Sequence, residues 1–101
     1  HNTTEGERSS ALIFSTMDDN TLAEAMRINN VGNIGIGTTS PNTSAILEMS
    51  SSSKGVMLPR VLEASKPSAT SALNGLMIYE EDTHLLKIVA NGEWKTISFE
   101  D

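Results

Sequence analysis

The chain contains no cysteine, so it has neither a disulfide nor a thiolate metal site, and the redox compartment cannot be read from it. Aromatic residues are nearly as scarce: Phe14, Tyr79, Trp94 and Phe99 are the whole set, 4% of 101 residues, within a hydrophobic fraction of 38%. A chain of one small domain's length therefore lacks the large side chains that would fill a single centre. Strands short of core can bury apolar area against identical copies instead, and without disulfides oligomerisation is the remaining staple. Cations are also in the minority, 7 against 13 acidic residues, for a formal charge of −6. That excess excludes bulk attraction to a nucleic-acid backbone or an anionic membrane surface. No apolar run approaches the length that spans a bilayer, and His1-Asn2-Thr3-Thr4 has neither the basic region nor the apolar stretch of a signal peptide. His1 reads as a tag remnant, so the chain is expected to be an excised fragment.

Side chains that could carry chemistry are few. With His1 set aside, any histidine mechanism rests on His84 alone; Asp82 lies two residues before it, but groups so placed across a turn diverge as often as they meet. Gly35-Ile36-Gly37 has no third spaced glycine opening a helix and no P-loop lysine, so it is not a phosphate loop. Asp18-Asp19-Asn20 lacks the spacing and terminal glutamate of a calcium loop and is explained by turn chemistry. The expectation is a non-enzymatic protein with no cofactor and no metal.

Ala11 to Thr16 reads as a short strand ending at the turn Met17-Asp18-Asp19-Asn20. From Leu22 the residues Ala-Glu-Ala-Met-Arg-Ile have the composition of a helical turn, but Met26 and Ile28 alternate with Ala25, Arg27 and Asn29, which favours a strand over Glu24 to Asn29 completing a hairpin. In GNIGIGTTSP, Gly32 to Pro41, glycines frame Ile34 and Ile36; glycine belongs in a strand where another backbone comes close, and three chains at a tight axis would supply that approach. Ala45 to Met49 is a further apolar segment, and Ser50 to Ser53 a flexible or turn segment. Gly55 to Val61 reads as a strand blunted by Pro59, and 62–74 as a short helix beside a loop. From Gly75 onward three segments separated by Glu80 to Thr83 and by Ala90-Asn91-Gly92 predict an antiparallel meander; Asn-Gly is a strong tight-turn dipeptide. Its last strand places Trp94, Thr96 and Ser98 on one face and Lys95, Ile97 and Phe99 on the other, so both faces need cover.

The run AMRINNVGNIGIGTTSP, Ala25 to Pro41, closely resembles a signature of phage tail-fibre proteins, of pre-neck regions of fibres carrying an endosialidase-type chaperone, and of mosaic trimeric adhesive fibres of predatory bacteria. GVMLPRV and then NGLMIYEEDTHLLKIVANGEWK, between Lys54 and Trp94, are similar to the terminal module of such fibres. The resemblance implies a mainly β, intertwined, parallel homotrimer at a fibre end, located on a virion tail fibre or an extracellular or cell-surface fibre. It also implies a tip that attaches to a cell-surface glycan or envelope polymer; the alternative is a purely structural trimerisation module. Two departures stand out. Leu62 to Pro67 replaces the usual Thr-, Gln- and Arg-rich stretch, and His84 to Ile88 replaces an aromatic-rich strand, removing rings that would stack on sugars.

The expected division is an N-terminal β segment over 1–31, a glycine-rich trimer segment and linker over 32–53, and a tip module over 54–101. If a ligand binds, Trp94, Tyr79, His84, Asp82 and Asn91 are the candidates, gathered with the turns 80–83 and 90–92 at the tip. Trp94 and Tyr79 serve equally as the small core of the meander.

Overall fold

The computed structural model describes residues 10–99. The chain divides into two units, the first running to Gly55 and the second starting at Val56. Each holds one four-stranded sheet, so the fold is mainly β as the sequence predicts.

In the first unit β1 (Leu12–Asp18) and β2 (Thr21–Ile28) form an antiparallel hairpin. Asp19 and Asn20 turn it with φ of 49° and 70°, the left-handed pair that matches strand twist and that short polar residues tolerate. β3 (Ile34–Ile36) joins β2 antiparallel, after a loop in which the Asn29 carboxamide oxygen accepts from the N–H groups of Val31 and Asn33. β4 (Leu47–Met49) then adds parallel to β3 through a crossover over 37–46. The glycine run is explained inside one chain. Gly37 has φ +79° and a Cβ there would overlap the Ser50 carbonyl, while a Cβ on Gly35 would sit 2.8 Å from the Thr38 carbonyl oxygen and 3.2 Å from the Pro41 ring. The close backbone approach expected at a threefold axis is thus made by the chain's own crossover, which lies over Gly35 with Pro41 buried.

Register sorts the side chains of this sheet onto two unlike faces. One carries two unbroken rows across the strands, Leu12–Ile28–Ile34–Leu47 and Phe14–Met26–Ile36–Met49. The other carries Ile13, Arg27, Gly35 and Glu48 in register. That second face satisfies its own charges. Arg27 donates to both oxygens of Glu24 at 2.8 and 2.7 Å, and Glu48 accepts from the Asn42 N–H at 2.7 Å.

In the second unit β5 (Arg60–Val61) pairs parallel with β6 (Met77–Glu80), which continues antiparallel to β7 (Leu85–Ala90) and β8 (Glu93–Thr96). The meander is present as predicted, with Asn91 and Gly92 at φ 54° and 75° in its tight turn. The strand expected over 55–61 pairs only at Arg60 and Val61, because Pro59 has no N–H to give a ladder. The short helix expected over 62–74 is two single 3-10 turns, Glu63–Ser65 and Ser71–Leu73, separated by Pro67. One sheet face holds Ile78, Glu80, Val89 and Trp94 under this crossover; the other holds Arg60, Tyr79 and Leu86 in one row and Met77, Ile88 and Lys95 in the next. Among the described residues, Ile78 and Val89 are the only buried large apolar side chains.

Candidate functional site

The five side chains nominated from sequence do not converge. β7 is six residues long, so the turns at its two ends lie roughly 17–20 Å apart, and a tip holding both is not formed within the chain. Asp82 and His84 belong to one end, Asn91 to the other. Tyr79 lies on the open face of the sheet and Trp94 on the covered one.

Two of the five are engaged in holding the crossover. The Trp94 indole N–H donates to the Pro67 carbonyl at 2.9 Å, and the Lys66 ammonium stands 5.7 Å above the Trp94 ring centroid. Asp82 accepts from the Glu63 N–H at 2.9 Å, which holds its carboxyl below the ordinary value. Tyr79, with Val56, Met57, Leu58, Arg60 and Leu86, lines a shallow depression of about 300 Å³. His84 and Asn91 are exposed, each with positive φ in its turn.

Among the described residues the one fully buried charge is Glu80, which is 0% exposed. Lys66 donates to it at 2.5 Å and the Thr83 hydroxyl donates to its other oxygen at 2.5 Å; in that order these hold the carboxyl below its ordinary value. Lys66 reaches it from the crossover, so the pair pins that segment to the sheet. This is a structural clasp. Among the described residues no group of acidic or histidine side chains could hold a metal ion.

What the two units present most plainly is uncovered apolar surface. Leu12, Phe14, Leu47 and Met49 are 57, 48, 44 and 46% exposed on the first sheet; Val56, Met57 and Phe99 are 58, 76 and 76% exposed in the second unit. Sequence reasoning sensed this shortage of core but did not locate these faces. A signal existed: the i, i+2 apolar pairs Leu12/Phe14, Met26/Ile28, Ile34/Ile36 and Leu47/Met49 recur in four successive strands.

Two four-stranded sheets that each carry a crossover over one face, and that leave large apolar side chains exposed, define a β module with surface suited to association with further chains. The chain belongs to the family of phage tail like trimerisation regions, which it matches over residues 35–100. That family is one of trimeric fibre modules and of no known catalysis, which places the chain in a virion tail fibre or an extracellular fibre. No curated protein and no solved structure matches it.

Proposed function

We propose that this chain serves as the trimerising segment of a fibre, holding three copies in register through its uncovered sheet faces. The observation that carries the reading is the pair Ile78 and Val89, all the buried large apolar side chains among the described residues. A lone chain leaves the remaining strands without the burial that offsets their ordering entropy; copies of itself supply it. Sedimentation equilibrium of the wild-type protein is expected to give three times the 10.8 kDa chain mass at micromolar concentration. A folded monomer there would overturn the reading.

A second reading, attachment to a cell-surface glycan or envelope polymer, is supported by the 81–84 turn. Exposed Glu81, Asp82 and His84 stand together on a rigid hairpin, and a trimer would display three such turns with the avidity of linked weak sites. A glycan array probed with the trimer tests it: binding that His84→Ala abolishes supports attachment, and an array without signal leaves the trimerising role alone.

A further inference from the structure

We infer that the two four-strand apolar rows of the first sheet are the dry centre of the trimer, turned by each of three copies toward one threefold axis. This rests on the trimer reading and goes further, since it chooses one surface and extends the interface to β1 and β2, outside the matched residues 35–100.

Three observations select this face. Its two four-strand rows contain no polar or charged side chain, so burying those rows desolvates nothing without a partner; the polar Thr16, Asp18 and Thr21 follow only where β1 and β2 run on past β3 toward their turn. The opposite face of the same sheet is already occupied by the 37–46 crossover over Gly35, and its charges are paired within the chain. The rival surface, the open face of the second sheet, carries Arg60 and Lys95 in its rows. Three copies turned inward there would bring like charges together at low dielectric, whereas three copies of the two four-strand rows bring together only Leu, Ile, Met and Phe. Turning one face inward under threefold symmetry also closes the assembly with respect to that face, since all three copies of it are used.

Ile13 and Phe14 are adjacent in β1, on opposite faces, and nearly equally exposed in the single chain, at 44% and 48%. Because the chain has no cysteine, Ile13→Cys and Phe14→Cys each give one reactive thiol. In the assembled trimer a maleimide is expected to label Phe14→Cys at least about tenfold more slowly than Ile13→Cys, since labelling must then wait for local opening. Phe14→Glu is expected to shift sedimentation from trimer toward monomer while Ile13→Glu remains a trimer. Equal labelling in an intact trimer overturns the inference alone and leaves the face to another partner, whereas a monomeric wild type overturns the trimer reading with it. Should Phe14→Glu fail to fold, the labelling ratio of the cysteine pair decides.

Discussion

In the second sheet the 62–76 crossover lies over Ile78, Val89 and Glu80, while in the first sheet the 37–46 crossover buries Gly35 and Pro41 and no large apolar side chain. Both sheets are four-stranded, each with a single parallel pair that forces a connection over one face. The difference is in what that connection carries. The longer one brings Lys66, Pro67 and Leu73 and ties itself down through Glu80 and Trp94. The shorter one, with Thr38, Ser40, Asn42 and Ser44, spends its hydrogen bonds on its own turns and on Glu48. The second sheet thus owns a small core of its own, and the first buries no large apolar side chain among the described residues.

Side-chain truncation should break this comparison most sharply. Ile78→Ala is expected to lower the stability of the protein by about 2–5 kcal/mol in thermal unfolding, because a buried branched side chain leaves a cavity. Leu22→Ala, at a side chain 65% exposed, should change it by no more than about 0.5 kcal/mol. Equal losses at the two positions would mean that the sheets do not differ in core.

The first sheet depends on backbone closeness where the second depends on side chains. Gly37→Ala must hold a left-handed φ, at about 1–2 kcal/mol, and also displace the Ser50 carbonyl, so a loss of about 2 kcal/mol or more is expected in the same measurement. Gly55→Ala, with open space at its Cβ, is the control and should be near neutral. A harmless Gly37→Ala would show that the crossover of the first sheet is loosely held.

Acid should discriminate the sheets more gently. The Glu80 carboxyl is depressed below its ordinary 4.5 by Lys66 and then Thr83, so the stability it contributes is fully present above pH 4.5 and is lost as pH falls through the depressed value. Glu24 is lowered in the same sense by Arg27, but its side chain is 17% and that of Arg27 25% exposed, so water and salt screen the pair. Melting temperatures followed from pH 6 to pH 3 should therefore lose much of their acid slope in Glu80→Gln and little of it in Glu24→Gln. The opposite ranking would place the acid-sensitive contact in the first sheet.

Much of the architecture was legible because it depends on local chemistry. Asp19-Asn20 and Asn91-Gly92 mark tight turns by their tolerance of positive φ, and alternation in 24–28 and 85–97 marks strands. The candidate ligand residues were less legible. Trp94 and Asp82 are chosen for their chemistry in a sequence reading, yet the bonds that engage them come from Pro67 and Glu63, 27 and 19 residues away. Parallel pairing of β5 with β6 was equally hidden, since Pro59 leaves a two-residue strand too short to carry a periodic signal.

By itself the sequence determined that this chain is strand-rich and poor in core, since both follow from residue types and their spacing along the chain. Only the tertiary structure decided which faces remain open. That depends on register, because a shift of one residue would exchange the row of Phe14 and Ile36 with that of Ile13 and Gly35, and register is a property of how strands pair rather than of any one strand. The same holds for the glycines of GNIGIGTTSP: their presence is a fact of sequence, but that Gly37 makes room for Ser50 of its own chain is a fact of the fold.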